Sequence, residues 1–280
     1  MNVAVVGGSL GGLTAALVLR DAGCSVSVYE RSQAELSGLG AGIVVQEATV
    51  RYLVERLGLS LDAISVPSRT LQYLGPDGAV TFQRASPYRF TAWNTVYRAL
   101  AGALGGDAYH RGHALVGFDQ DPEGVDLRFA NGAAARVDML VCVDGVASTA
   151  RRRLLPHVEP VYSGYVGWRG TVTESLLSPE TFAVLGDAIT YGLVEHSHVV
   201  AYQIPSVDGG LGQGERLVNF VWYRNVAEGA ELDELMTDRD GLPRPLSLHP
   251  GMVQERRVAA IRRTARDVLP GPLAEAMAAV

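Results

Sequence analysis

Apolar and polar positions change period several times along the chain, and each change marks an element. Val3-Ala4-Val5-Val6 is an unbroken apolar run stopped by Gly7 and Gly8, which predicts a buried strand near residues 2–7. Helical spacing follows over 11–22, a second apolar run over 25–30 ends in Glu30, and a helix is expected near 47–58. Between them Ser37-Gly38-Leu39-Gly40-Ala41-Gly42 is too rich in glycine for the interior of an element and reads as a loop. From Ser68 to Phe82 the pattern shortens to strand-like pieces around the turn Gly75-Pro76-Asp77-Gly78. Trp93, Val96, Tyr97, Leu100 and Leu104 lie at helical spacing. Strand-like runs at 112–119, 124–130 and 136–143 come next.

The stretch 160–225 is the most strand-like, with runs at 165–172, 189–195, 199–204 and 217–223 that alternate aromatic and aliphatic residues. Such alternation suits a sheet with one covered face and one face lining a cavity. Beyond Glu228 the pattern turns helical through Leu232–Met236 and again from Val253. A chain that starts β-α-β and then gains antiparallel strands predicts an α/β protein, with a Rossmann-type domain interleaved with a β-sheet-rich domain. The expected division is 1–67 and 84–160 for the first, 68–83 and 161–250 for the second, and 251–280 as the start of a further C-terminal part.

Composition narrows the class. With 48% hydrophobic and 19% charged residues the chain is globular, and a net charge of −6 without a long basic run argues against nucleic acid as the partner. No apolar stretch is long enough for a membrane span, and Met1 leads almost directly into the first strand, leaving no room for a signal peptide. Cys24 and Cys142 are far apart beside apolar segments and read as reduced core thiols of a cytoplasmic protein. The six histidines form no H-x-x-x-H pair, so no metal site is expected.

The chemistry lies in the first turn. A strand running into Gly7-Gly8-Ser9-Leu10-Gly11-Gly12 and then a helix aims free N–H groups and the positive helix end at a pyrophosphate. Glu30 falls 18 residues after Gly12, near the ~20 at which an acid accepts from a ribose hydroxyl. A carboxylate there repels a 2′-phosphate. Ser9 replaces the glycine that ordinarily admits the phosphates, which is compatible with binding where its Cβ turns away. A second strand breaks at Asp144-Gly145, with Ser148 spaced to cap a helix and Arg151 in its first turns. Locally this is either an ordinary capped helix or a second ligand contact.

Together these motifs resemble the FAD-dependent aromatic hydroxylases, the flavoprotein monooxygenases of the p-hydroxybenzoate hydroxylase type. The resemblance extends through Ala41-Gly42-Ile43-Val44-Val45-Gln46, Tyr165-Val166-Gly167-Trp168-Arg169-Gly170, Tyr191-Gly192-Leu193 and Trp222-Tyr223-Arg224-Asn225-Val226-Ala227-Glu228-Gly229. It is strongest to the branch that hydroxylates 2,6-dihydroxypyridine. It implies FAD contacts at Gly7, Ser9, Leu10, Gly11, Gly12, Glu30, Arg31, Gln46, Arg98, Asp144, Ser148 and Arg151. It also implies NAD(P)H as co-substrate, O2 addition to reduced flavin as a hydroperoxide, and oxygen transfer to a hydroxylated aromatic or N-heteroaromatic ring. Trp168, Tyr191, Tyr202 and Tyr223 are the candidate substrate contacts, each an aromatic in a strand that otherwise packs a core.

Family members usually carry a third Gly-Asp fingerprint for the riboflavin end of FAD, and these residues hold no match; Gly186-Asp187 has no apolar strand leading into it. The expected partners are a small aromatic substrate and O2, and either a second copy in a homodimer or a missing C-terminal segment. Two other readings stay open: a truncated, non-catalytic nucleotide-binding homologue, and an NAD-dependent Rossmann dehydrogenase, for which the Asp144-Gly145 turn has no use.

Overall fold

The computed structural model describes residues 1–36, 38 and 41–280; Ser37, Leu39 and Gly40 of the expected glycine-rich loop lie outside the described residues. The chain divides into two compact units, Met1–Gly38 with Arg51–Gly58 and Val96–Val161, and Leu39–Val50 with Leu59–Thr95 and Tyr162–Val280. Among the described residues no helix is long and apolar enough to cross a membrane.

In the first unit a parallel sheet runs in the order Met139–Cys142, Asn2–Val6, Ser25–Glu30, Tyr109–Arg111. Asn2–Val6 is a central strand, so Val3, Ala4, Val5 and Val6 are all buried, which explains the unbroken apolar run. The helix Leu10–Asp21 buries Leu13, Ala16 and Leu17. A three-stranded antiparallel sheet, Leu115–Asp121, Gly124–Phe129 and Ala134–Val137, has its own core of Leu115, Phe118, Val125, Leu127, Phe129 and Val137. This is the Rossmann-type α/β architecture expected from the sequence, with antiparallel strands added.

Four local expectations change. The run at 136–143 is two strands: Val137 pairs antiparallel with Val125, and Met139 pairs parallel with Val3. Asp138 marks the switch of sheet, and its Oδ2 accepts the Asn2 N–H at 2.7 Å. Near 112–119 the strand begins only at Leu115, after a short strand Tyr109–Arg111 that three residues are too few to reveal by alternation. The helix near 47–58 is an α-helix, Glu47–Arg51, continued by a π-helical turn, Tyr52–Arg56. Both cysteines are free, but neither is a core residue: Cys24 is half-buried and Cys142 exposed at the end of an edge strand.

In the second unit a six-stranded sheet runs Tyr165–Thr173, Leu217–Asn225, Ser197–Ile204, Ala188–Val194, Thr70–Leu74, Val80–Ala85. All neighbours are antiparallel except Ala188–Val194 beside Thr70–Leu74. Val218, Phe220 and Trp222 face one side, where they join Ile261, Ala265, Leu269, Leu273 and Met277 in one core. The last five belong to or adjoin the helices Glu255–Val268 and Gly271–Ala278, the helical tail foreseen from Val253 onward. The opposite face carries Leu71, Ile189, Tyr202 and Ile204, packed with Phe90 and Ala92 of a small sheet formed by Gly42–Val44, Arg89–Ala92 and Val66–Pro67.

Candidate functional site

The first turn is shaped by what a Cβ would strike. Gly7 holds φ +109°, and a Cβ there would stand 2.2 Å from the Val143 carbonyl oxygen. At Gly12 a Cβ would lie 1.7 Å from the Gly7 carbonyl oxygen, so helix and strand meet only through glycine. Gly8 is pinned from two sides: its N–H donates to Glu30 Oε2 at 2.8 Å and its carbonyl accepts from the Tyr109 hydroxyl at 2.9 Å. Ser9 needs no such allowance. It is the exposed N-cap residue at φ −83°, ψ −172°, extended backbone open to any residue, and its side chain makes no cap hydrogen bond. The N–H groups of Leu10, Gly11 and Gly12 precede the first helical hydrogen bond, Leu13 N–H to Ser9 O, and have no acceptor in the helix. Free donors, a positive helix end and an approach clear of Cβ atoms fit a pyrophosphate.

Glu30 is buried, and its two carboxylate oxygens accept from the Gly8 and Ser32 N–H groups, both at 2.8 Å. Each oxygen keeps a second lone pair, so the same carboxylate holds the turn and still offers an acceptor to a ribose. Arg31 beside it is exposed. Tyr109 is a site residue that the sequence reading missed. Burial pushes its phenol far above the ordinary tyrosine value, so it stays a neutral donor to the Gly8 carbonyl. The signal available was the aromatic-rich Tyr109-His110-Arg111 before Gly112, too short to register as a strand.

The second motif adjoins the first. Val143 donates to the Val6 carbonyl at 2.8 Å, and its own carbonyl faces Gly7. Asp144 Oδ2 accepts from Thr149 N–H at 2.7 Å and Ala150 N–H at 3.3 Å, and Ser148 Oγ accepts from Arg151 N–H at 2.9 Å. Asp144 and Ser148 thus cap the helix Thr149–Leu154 jointly. The Arg151 Nε is buried with no hydrogen-bond partner among the described residues, a cation donor left for an anion to satisfy. Arg98 is exposed on the helix Trp93–Leu104 in this same unit.

In the second unit, period-two alternation settles which aromatics share a face. Tyr191, Tyr202 and Tyr223 lie on one side with Tyr73, Arg169 and Asn219, since Tyr202 pairs with Asn219 and Tyr191 with Tyr73 and Val200. Trp168 does not join them. It pairs with Trp222 and packs into the helix-covered core, because one step of register turns it to the other face. Tyr202 stacks on Phe90 at 4.0 Å, Tyr191 on Tyr73 at 5.2 Å and Tyr223 on His198 at 4.9 Å. Gln46 is exposed, and its carbonyl starts the helix Glu47–Arg51.

Burial pushes the Tyr202 phenol up to about 12 against the opposing pull of the Arg169 charge, so it remains a neutral donor at working pH. The folded state therefore holds a proton that an unfolded tyrosine releases near pH 10, and this contribution to stability is present below pH 10 and lost as pH rises towards 12. A tyrosinate absorbance titration is expected to show an ionisation near pH 12 that Tyr202→Phe removes; an unchanged titration would contradict the assignment.

Turn and second motif together build a nucleotide site of the Rossmann type. Comparison with known proteins agrees. Residues 5–59 match the NAD(P)-binding Rossmann-like domain, and residues 162–280 match the FAD binding domain-like family. The 2,6-dihydroxypyridine 3-monooxygenase of Paenarthrobacter nicotinovorans is 46% identical over 252 residues, covering 89% of this chain and 62% of that protein. The solved structure of 2,6-dihydroxypyridine-3-hydroxylase from Arthrobacter nicotinovorans superposes on 100% of this chain and 70% of that one, with a TM-score of 0.92 at 41% identity. The complex of Klebsiella pneumoniae HpxO with FAD and uric acid shares the fold, with a TM-score of 0.71 at 22% identity over 100% of this chain and 65% of that one. The chain belongs to the FAD-dependent aromatic hydroxylase family. It spans about 62% of the length of the curated dihydroxypyridine relative.

Proposed function

We propose that this chain carries the FAD site and the ring-binding face of a monooxygenase that hydroxylates a hydroxylated aromatic or N-heteroaromatic ring of the 2,6-dihydroxypyridine kind, with NAD(P)H and O2, in the cytoplasm. The observation that carries this reading is the likeness to 2,6-dihydroxypyridine-3-hydroxylase along the whole chain. In this reading the Leu10, Gly11 and Gly12 N–H groups and Arg151 hold the pyrophosphate, with Gly7 and the backbone of Ser9 shaping its approach. Glu30, with Arg31 next to it, accepts the ribose. Asp144 and Ser148 fix the helix that carries Arg151, and Gln46 and Arg98 contact the rest of the cofactor. Tyr191, Tyr202 and Tyr223 orient the ring as aromatic walls and neutral donors. The bound cofactor supplies hydride acceptance and oxygen activation, while the protein contributes position, exclusion of water and donors towards developing charge on the ring. A lysine-dependent dehydrogenase has no support, since residues 1–280 contain no lysine.

The test is NAD(P)H consumption by the FAD-loaded protein in air. The proposal requires that 2,6-dihydroxypyridine stimulate it and that a trihydroxylated pyridine form; failure across a panel of hydroxylated rings would refute it. At residue level, Asp144→Ala should cost about 1 kcal/mol of stability through the lost helix cap and weaken FAD binding, while Glu195→Ala, 90% exposed in a hairpin turn, stays within ~0.5 kcal/mol and binds normally. Equal effects of the two changes on FAD titration would count against a role for Asp144.

A further inference from the structure

None of these assignments uses Asn219, whose position is unusual. It stands in the strand Leu217–Asn225, where asparagine is disfavoured, and it is 0% exposed. A buried carboxamide must find partners for two donors and one acceptor. Its acceptor is satisfied: Oδ1 takes the Gly42 N–H at 2.9 Å. That bond fixes the orientation of the amide, because the flipped form would set two donors against each other. The Nδ2 group is consequently turned elsewhere, shut off from solvent, with no hydrogen-bond partner among the described residues. An unpaired buried donor of this kind costs about 1–3 kcal/mol.

The surroundings say what would complete it. Tyr202 is the cross-strand partner of Asn219, and a Cβ on Gly42 would lie 2.5 Å from Tyr202 Cε2, 2.9 Å from its hydroxyl oxygen and 3.0 Å from Asn219 Cγ. Gly42, Tyr202 and Asn219 thus form one close-packed node on the aromatic face. The groups this node offers are donors, the Asn219 amide and a neutral phenol, on the face that also carries Arg169. Their complement is an acceptor, an oxygen carrying negative charge or a strong dipole.

We propose that Asn219 is a ring-positioning residue, whose Nδ2 donates to a carbonyl or olate oxygen of a planar heteroaromatic ring bound on this face, with the Tyr202 ring or the Gly42 peptide giving way to admit it. The inference rests on the monooxygenase reading, and two rings have the required oxygen: the flavin and a dihydroxypyridine.

Asn219→Asp separates the two jobs of the side chain, since a carboxylate still accepts from Gly42 but has no donor to give. Unfolding temperature, FAD affinity by flavin fluorescence, and 2,6-dihydroxypyridine affinity from the flavin absorbance of the loaded protein are measured on wild type and variant. The expected result is a lower unfolding temperature from the buried carboxylate and, in protein kept folded at low temperature, at least tenfold weaker binding of one ring; the titration that moves identifies the ring. Asn219→Ala is the second variant, expected to weaken the same titration and to lower the unfolding temperature as well through the lost Gly42 anchor. Wild-type affinities for both rings in Asn219→Asp, or failure of both variants to fold, would assign Asn219 to the Gly42 anchor alone and overturn the proposal. Wild-type protein that binds neither ring would overturn the monooxygenase reading along with it, so the two failures are distinct.

Discussion

Gly12→Ala is expected to weaken FAD binding by roughly a hundredfold or more. The new Cβ would lie 1.7 Å from the Gly7 carbonyl oxygen, a backbone atom that cannot rotate aside, so the helix Leu10–Asp21 must lift from the strand Asn2–Val6. Overpacking of this kind costs about 3 kcal/mol or more, and about 1.4 kcal/mol lost from binding is tenfold in affinity. The Leu10, Gly11 and Gly12 N–H groups move with the helix, so the loss falls on the pyrophosphate as well as on the fold. Ser9→Gly is the control. Ser9 stands where the sequence departs from the glycine pattern, yet its backbone is ordinary and its side chain exposed and uncapped, so the change should leave affinity within about threefold. Flavin fluorescence titration and thermal unfolding of both variants check the contrast.

Glu174→Ala is expected to cause the largest loss of stability without touching the nucleotide turn. Arg216 is nearly buried, with Nε donating to Glu174 Oε2 at 3.1 Å and Nη2 lying 2.9 Å from Oε1, and the Gly214 N–H donates to the same carboxylate at 2.9 Å. Asp187 supplies only a longer contact, 3.5 Å from Arg216 Nη1. Removing Glu174 strands a buried guanidinium and a backbone donor, and breaking a buried pair from one side costs about 3–5 kcal/mol. At roughly 2–4 °C per kcal/mol, unfolding should fall by about 6–20 °C. Glu174→Ala protein kept folded at low temperature should bind FAD as wild type does, because Glu174 and Arg216 belong to the second unit and the glycine turn to the first.

The nucleotide half of this molecule was legible in the sequence because its constraints are local. Gly7 is needed for a dihedral, Gly12 for a close approach, and the apolar run of Asn2–Val6 for a strand flanked on both sides, and each leaves a mark within a few residues. What stayed hidden depends on pairing over long separations. The run 136–143 looks continuous, yet Asp138 passes the chain from one sheet to another, because an apolar pattern does not say which neighbour a strand takes. Trp168 and Arg169 are adjacent letters on opposite faces, and only the register against Trp222 and Val221 shows which of them packs in the core. Tyr109 acts on Gly8 across 101 residues and Asn219 on Gly42 across 177, distances at which spacing carries no signal. Asp144 shows a further limit: its carboxylate caps a helix while its backbone runs beside Gly7, so a plain capped turn and a ligand contact leave the same mark in the sequence.

The central claim is that the turn from Gly7 to Gly12 holds FAD. Isothermal titration of the chain with FAD and, separately, with NAD tests it most directly. The account predicts saturable FAD binding at least tenfold tighter than NAD, largely lost in Gly12→Ala and retained in Ser9→Gly. NAD binding without FAD binding, or FAD binding untouched by Gly12→Ala, would contradict it.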